Sequence, residues 1–592
     1  MLKSTLSLCF AALSLAAVAQ EFTPVSEITE SGWYKMRMVT SNQNSDVSLT
    51  APLYVYSTGI ELEQNASTAY PFVASATPAA SEAANYVYIE KVGSTYSILS
   101  PDGHYANGAA KSARAAFTSL AITSKNAANN TFTIKGGGTF WDCYNNYVGA
   151  YGASSNTSYQ FSKATDIDNY DIYTVNITDG FSGSHPGKDS FVLINSAASK
   201  GVPRAYNGGK LFFEKDADVK STDFAAPGTA TQVASVKVDK AAKTINITME
   251  DLQEGGVYML TNVQKDGTLF PIYMDADAGL QIGTAGTDYG TQALFTLAKD
   301  GDKVALVSAA CGQYWGYTGR DASGHDGAEE TYDADHCGLT MVSANGTLAG
   351  TYYMYAQRYA AAKAGSFVIL KGTKAWDGYS DKVAYEANYS NLFYVQRVDT
   401  YPYNTVNLQA KNGKHYASVY VPFAFNIPAD VKAFYGYAVS PTDVELHEVE
   451  GGVVPKGQAV VLRSASVQGE QLLVPSLTQP DAVLENKLQG TITPAAVGSA
   501  AVYAFTGKYD DLGFYQWTGA NYPLGKAYLV LDPGTAVMGF SLRFAGEAAT
   551  GIDHSLTDAA QGQRAVYDLS GRRVQQPAHG VYLVNGKKVW VK

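Results

Sequence analysis

With 592 residues, 46% of them apolar and 12% aromatic, the chain carries more than one domain's worth of core, which excludes a disordered protein and sets the expectation at several folded units. The 43 basic against 54 acidic residues leave a formal charge of −11, and only 16% of residues are charged, so a sequence-independent grip on phosphate backbones is excluded and nucleic acid is not an expected partner. The 42 Tyr and 56 Gly against 20 Pro point to an all-β chain, since Tyr suits a half-buried pleated surface and Gly supplies positive-φ corners.

At the start, Lys3 precedes an apolar run from Leu6 to Val18 that ends in Ala17-Val18-Ala19, the small-x-small pattern of a signal-peptidase site. Residues 1–19 therefore read as a signal peptide and the mature chain as beginning at Gln20. The run falls short of the about 20 apolar residues a spanning helix needs, and no later segment approaches that length, so no transmembrane segment is expected in the mature chain. Leu8 is too large for the position before a lipidated Cys9. Beyond the leader, Cys143, Cys311 and Cys337 are too few for a disulfide scaffold. Cys311 and Cys337 enclose a loop that an oxidising compartment could bridge, with Cys143 a small buried apolar residue. There is no CxxC pattern for a structural zinc.

One module occurs twice along the mature chain. Ser190-Phe191-Val192-Leu193-Ile194 matches Ser366-Phe367-Val368-Ile369-Leu370, Lys210 to Glu214 parallels Asn391 to Val395, and Gly32-Trp33-Tyr34 parallels Gly256-Val257-Tyr258. Inside each copy a strand, a Gly-Tyr turn and a second strand recur roughly three times. The turns include Asp102-Gly103-His104-Tyr105, Asn146-Tyr147-Val148-Gly149 and Gln313-Tyr314-Trp315-Gly316. On these motifs each copy resembles the ricin-type β-trefoil, although the QxW signature of that family is missing. A pair of unrelated β-sandwiches built from similar hairpins is the alternative. The expected units are a trefoil-like domain at 20–226, a linking hairpin at 227–254 and a second trefoil-like domain at 255–400. In the hairpin, Val236, Val238, Ile245, Ile247 and Met249 alternate with polar residues around Asp239 to Lys243. The segment 221–232, broken by Pro227-Gly228, is the clearest boundary.

From Lys411 the pattern changes. Tyr416 to Phe423, Lys432 to Tyr435 and Val453 to Leu462 read as strands of a third unit at 401–548, which resembles a β-sandwich module of exported bacterial proteins. The tail at 549–592 contains Ala565-Val566-Tyr567-Asp568-Leu569-Ser570-Gly571-Arg572-Arg573-Val574. Gly580 to Lys592 then forms a hairpin around Asn585-Gly586, whose residues tolerate the positive φ of a type I′ turn. The tail is similar to the C-terminal sorting domains of the type IX secretion system. That resemblance implies the secretion machinery as a partner and a secreted or outer-membrane surface location.

Two loops combine Trp-Asp with Tyr: Trp141, Asp142 and Tyr147 in the first copy, Trp376, Asp377 and Tyr379 in the second; Trp315 lies in a similar turn. A pyranose can lay its C–H face on such a ring while Asp takes hydrogen bonds from its hydroxyls, so these seven residues are the candidate carbohydrate contacts. The competing reading puts Trp in the core and Asp at a turn. The stretch Arg320 to Cys337 offers six carboxylates, but not in the order of a calcium loop, and no metal site is assigned. Asp335-His336-Cys337 are consecutive, so on a strand they point to alternate faces and form no relay, and no GxSxG occurs. No catalytic residue and no cofactor are assigned. The expected function is non-catalytic glycan binding by an exported or cell-surface bacterial protein, in which duplication would raise the strength of weak sites. The alternatives are a surface adhesin or structural protein binding other proteins, and a secreted glycoside hydrolase whose site the sequence does not display.

Overall fold

The computed structural model describes residues 22–547 apart from 41–47, 66–67, 80–81, 102–104, 107–111, 114–118, 145–146, 153–156, 179–191, 195–203, 206, 230, 265–267, 317–326, 345–349, 357–364, 371–375, 381–384, 387–388, 391, 484, 507–511 and 534–536, together with 566–567, 573–574, 580–584 and 587–591. Within these residues the protein is all-β, and its named helical elements are single 3-10 turns of three or four residues. Among the described residues no helix is long and apolar enough to cross a membrane.

The first twelve strands are β1 (Gly32–Thr40), β2 (Ser48–Asn65), β3 (Thr68–Ser75), β4 (Val87–Val92), β5 (Thr95–Leu99), β6 (Tyr105–Ala106), β7 (Ser112–Ala113), β8 (Ala121–Asn126), β9 (Thr131–Gly136), β10 (Thr139–Tyr144), β11 (Tyr147–Gly152) and β12 (Ser158–Lys163). Six of them close into a barrel-like ring. β1 pairs with β4, β4 with β5, and β5 meets the start of β8 through the Tyr96–Leu120 bridge; β8 pairs with β9, β9 with β12, and β12 returns to β1. The other six form the hairpins β2–β3, β6–β7 and β10–β11, each hung from the ring strand before it. Strand alternation fills this ring. On β1, Tyr34, Met36 and Met38 are buried and meet Val87, Ile89, Ile98, Ile134, Tyr159 and Phe161, while Lys35 reaches outward to Asp166 at 3.0 Å.

Five strands follow: β13 (Tyr170–Ile177), β14 (Val192–Ile194), β15 (Arg204–Ala205), β16 (Lys210–Glu214) and β17 (Phe224–Ala225), and then the hairpin β18 (Val233–Asp239) and β19 (Thr244–Glu250). β16, β13, β19 and β18 lie side by side in that order, with β13 and β19 parallel and Asn176 Nδ2 donating to Asn246 Oδ1 at 2.9 Å across them. Their core is Tyr173, Val175, Leu211, Phe213, Val236, Ile245 and Ile247. The sequence reading extended the first unit to 226 and made 227–254 a linker. In the structure the first ring closes at Lys163; β13, β16, β18 and β19 lie in one sheet over a common core, and β14, β15 and β17 form a separate three-stranded sheet. Lys210 to Glu214 accordingly has no counterpart role to Asn391 to Val395; the strand that closes the first ring is Ser158–Lys163.

The second ring repeats the wiring of the first. Its strands are β20 (Val257–Val263), β21 (Leu269–Asp275), β22 (Gly279–Ile282), β23 (Leu294–Asp300), β24 (Lys303–Ser308), β25 (Tyr314–Trp315), β26 (Ala328–Glu329), β27 (Leu339–Ser343), β28 (Tyr352–Ala356), β29 (Gly365–Leu370), β30 (Trp376–Ser380), β31 (Tyr385–Glu386), β32 (Tyr389–Ser390) and β33 (Phe393–Val398). The ring runs β20, β23, β24, β27, β28, β33 and back to β20. The hairpins β21–β22, β25–β26 and β29–β30 hang from β20, β24 and β28. β18 adds to β33 in parallel, which welds the middle sheet to this ring. At that seam Gln396 is fully buried: its Oε1 accepts from the Ala226 amide at 2.9 Å, and its Nε2 donates to the Phe224 and Ser221 carbonyls at 2.6 and 3.2 Å.

The third unit comprises β34 (Thr405–Lys411), β35 (Lys414–Val419), β36 (Phe425–Asn426), β37 (Lys432–Val439), β38 (Asp443–Glu448), β39 (Val453–Val454), β40 (Val460–Ser464), β41 (Gly469–Leu472), β42 (Ala501–Thr506), β43 (Gly513–Gln516), β44 (Tyr528–Leu531) and β45 (Gly539–Phe544). Ten of these form one sheet in the order β41, β34, β35, β40, β37, β38, β45, β43, β42, β44. One hydrophobic core runs from Met259, Leu294, Val307 and Cys337 of the second ring into Leu408, Val419, Phe423, Val460 and Leu462 of this unit. The Tyr314 hydroxyl donates to the Ser476 carbonyl across the contact. Gly312, at φ +74°, lies so close to the Pro422 carbonyl that a Cβ there would collide with it. At the C-terminus β46 (Val566–Tyr567), β47 (Arg573–Val574), β48 (Gly580–Val584) and β49 (Lys587–Val591) make a small sheet in which Val584 pairs with Lys587; the expected Asn585-Gly586 turn lies outside the described residues.

Candidate ligand groove

Of the three candidate tryptophans, Trp141 and Trp315 have side chains that can be followed, and both are core residues. Trp141 is 1% exposed and packs beside Phe72 inside the first ring. Trp315 is 0% exposed and lies between Phe295 and Phe393 inside the second, with ring centroids 5.6 and 5.8 Å away. Both plug the ring at a hairpin, where a large side chain is needed to fill the widening barrel. Neither offers an open face to a sugar. Asp142, in β10, is buried too: its Oδ1 accepts from the Cys143 amide at 2.8 Å and from the Thr157 hydroxyl at 2.6 Å. Tyr147 lies on β11, and Trp376, Asp377 and Tyr379 on β30; their side chains are outside the described residues.

The Cys311–Cys337 bridge is not formed, and both are free thiols. They face different cores. Cys337 is part of the core shared with the third unit, whereas Cys311 lies against the ring interior and directs its Sγ to Gln313 Oε1 at 3.3 Å. Burial pushes the Cys337 thiol up to about 12, which makes it a poor nucleophile at neutral pH. Within the carboxylate-rich stretch, Glu330 bonds Lys456 at 2.5 Å and Gln313 Nε2 at 2.8 Å, and Asp333 Oδ1 takes the Asp335 amide at 2.8 Å. Among the described residues no group of three or more His, Cys, Asp or Glu is placed to hold a metal ion.

A concavity lies where the middle sheet, the second ring and the third unit meet. β18 and β33 run parallel with Ser235 opposite Arg397, and β34 follows β33 through the turn Pro402–Asn404. This brings Ser235, Lys237, Gln253, Arg397, Asp399, Asn404 and Glu470 around a depression of about 420 Å³. A shallower one of about 710 Å³ adjoins it across Arg397 and Gln253, and includes Glu250, Asp251, Glu254 and Lys299. Arg397 stands on the divide. Its Nη1 is 2.8 Å from Glu250 Oε2, and Lys237 Nζ is 3.3 Å from Oε1 of the same carboxylate. Burial alone would raise the Glu250 carboxyl; the two cations outweigh it and hold the group below the usual range.

That pairing spends one of the five guanidinium N–H bonds, and among the described residues the others meet no protein acceptor. Asn404 commits its Nδ2 to the Gly255 carbonyl at 2.8 Å, which leaves its Oδ1 as an acceptor. Ser235 is 1% exposed, and its hydroxyl, close to Glu250, makes no well-formed hydrogen bond. The groove thus presents donors (Arg397, Lys237, Gln253) and acceptors (Asp399, Glu470, Asn404) around a volume of small-ligand size. None of these residues was singled out in the sequence. Ser235 and Arg397 are 162 positions apart, and only the parallel pairing of β18 with β33 joins them.

No family model and no curated protein matches the chain. Among solved structures, one described as the structure and mode of action of a mosquitocidal holotoxin aligns over 87% of this chain and 69% of its own, at 8% identity and a TM-score of 0.19. A likeness at that level carries no argument about fold or function.

Proposed function

We propose that this is an exported, non-catalytic β protein that binds carbohydrate, and that the contact lies in the groove around Arg397. The observation that carries the reading is the mixture of donors and acceptors lining that groove, with guanidinium N–H groups of Arg397 left over after its pairing with Glu250. A sugar hydroxyl donates and accepts at once, so a lining that holds both a guanidinium and carboxylates can match it. The closed six-strand rings, each with three hanging hairpins, support reading the two copies as β-trefoils; the ten-stranded third unit supports the sandwich-like reading less directly. Trp141 and Trp315, sealed in the rings, are not part of this contact, and Trp376, Asp377 and Tyr379 on β30 are not among the residues lining the groove. The C-terminal hairpin fits the sorting-domain reading and hence delivery to the cell surface or beyond.

Titration of the full chain against a panel of soluble oligosaccharides tests the proposal. Binding is expected for wild type, with Arg397→Ala reducing it at least tenfold and Glu470→Gln by less, while the far-ultraviolet dichroism of both variants stays that of wild type. Absence of binding to every panel member, or an Arg397→Ala variant that binds as wild type, overturns it. Deleting 549–592 tests the sorting reading: the shortened chain should remain in the periplasm of the producing cell.

A second reading, a surface protein that contacts other proteins, is favoured by the continuous core between the second ring and the third unit. Units welded in that way hold distant surface patches at fixed separations, which suits an adhesive or structural role.

A further inference from the structure

The third unit carries an open aromatic face whose construction the groove does not explain. β37 and β38 pair with Tyr435 opposite His447 and Gly436 opposite Leu446, but Ala438 is opposite Glu445, so Tyr437 is the extra residue of a β-bulge. The bulge turns the Tyr437 ring over the imidazole: the two are stacked at 4.1 Å with 16° between their planes, and Tyr437 stays 38% exposed. Tyr435 approaches the same imidazole at 5.8 Å with its ring tilted 59° to it. Two phenol rings and an imidazole therefore make one contiguous surface, on a sheet whose opposite side is the apolar core of Phe434, Val444 and Leu446.

The surroundings of this face are acidic. Glu445 and Asp443 are neutralised by Arg543, at 2.6 and 3.0 Å, and Glu445 also meets His447 Nε2 at 2.9 Å. Glu450 and Glu485 are exposed and have no ion pair among the described residues. Glu485 is held in place by its neighbour, because Asn486 Oδ1 accepts from the Gly436 and Leu488 amides at 3.1 and 3.0 Å, and its Nδ2 donates to Gln458 Oε1 and the Ala459 carbonyl at 3.0 and 2.9 Å. The Lys487 amide donates to the Gly436 carbonyl at 2.7 Å, which clamps this segment across the bulge. Both free carboxylates act on the Tyr435 phenol, which burial and then Glu485, Tyr437 and Glu450 hold above its ordinary value.

We infer that the Tyr435–Tyr437–His447 face is a docking site for a lysine-rich segment of a partner protein. An alkylammonium group is attracted by the electron-rich faces of the rings and by the two unpaired carboxylates beside them, which outnumber Lys487, the exposed cation on the same segment. The stem of a lysine adds apolar contact to the exposed Tyr437 ring, which a simple metal cation cannot. The site is independent of the Arg397 groove and involves a different ligand class.

The test is calorimetric titration of the full chain with an oligolysine peptide, with an oligoglutamate peptide of equal length alongside. Oligolysine is expected to bind and oligoglutamate not to. Tyr437→Ala should weaken oligolysine binding about tenfold, the scale of one desolvated cation–ring contact. Tyr437→Phe, which keeps the ring, should stay within twofold of wild type, and Glu485→Gln should weaken binding in a salt-dependent way. Lack of oligolysine binding overturns the inference. So does a Tyr437→Ala variant that binds as wild type while Glu485→Gln does not, since that pattern describes charge attraction without the rings. Tetramethylammonium matching oligolysine in affinity also overturns it, in favour of a small quaternary ammonium ligand.

Discussion

Replacing Gln396 by Leu should uncouple residues 221–229 from the second ring. The side chain makes three hydrogen bonds at a fully buried seam, to the Ala226 amide and to the Phe224 and Ser221 carbonyls. Leucine fills most of the volume and satisfies none of them. The Ala226 N–H is then a buried donor without an acceptor, and each carbonyl loses a donor but keeps a second lone pair for other contacts. With about 1–3 kcal/mol for each fully orphaned group and less for each carbonyl, the local cost is about 3 kcal/mol. If that cost falls on local opening, hydrogen exchange across 221–229 accelerates roughly a hundredfold. Peptide-resolved exchange on the full chain measures this, with β40 of the third unit as an internal reference. Unchanged exchange at 221–229 would refute the rivet reasoning. A uniform acceleration that includes β40 would refute its local character.

Three further outcomes follow from the same packing. Trp141→Ala should cost about 3–5 kcal/mol and lower the unfolding temperature of the first ring in calorimetry, while oligosaccharide binding at the Arg397 groove is unchanged. Gly312→Ala should destabilise more than Gly413→Ala: both glycines have positive φ and pay about 1–2 kcal/mol for the left-handed conformation, but only at Gly312 would the new Cβ strike backbone, at Pro422. Equal losses in denaturant titrations would contradict the close approach. Burial raises the Asp223 carboxyl to about 6, with Asp288 adding to the effect against the Lys220 amide it accepts from. The folded chain therefore keeps a proton that the unfolded chain has lost, so this group's contribution to stability declines as pH rises from about 4 to about 6 and is flat above. The Asp223→Asn variant should lack that slope when unfolding is followed across the interval.

Local chemistry was legible where neighbours in the sequence are neighbours in space. The Val236, Val238, Ile245, Ile247 alternation produces the β18–β19 hairpin, in which Val236 pairs with Ile247 and Val238 with Ile245. The strands expected on either side of Asn585-Gly586 pair with each other, Val584 with Lys587. The same local reading could not tell a displayed tryptophan from a plug, because Trp-Asp in a glycine-flanked turn has one sequence whether the ring faces water or the barrel interior. Matching segments such as Lys210 to Glu214 and Asn391 to Val395 misled for a related reason: similar alternation suits any half-buried strand, and only pairing decides whether it closes a ring or joins a neighbouring sheet.

By itself, then, the chain's composition and spacing determined an all-β protein with repeated hairpins, since side-chain period and turn residues act over a few positions. Tertiary structure decided which tryptophans are sealed, that β13, β16, β18 and β19 share a core of their own, and that Arg397 meets Ser235 and Glu250 at a groove. Those outcomes depend on contacts between strands tens to more than a hundred residues apart, where the free energy of burying one face against another selects the partner and no local pattern records the choice.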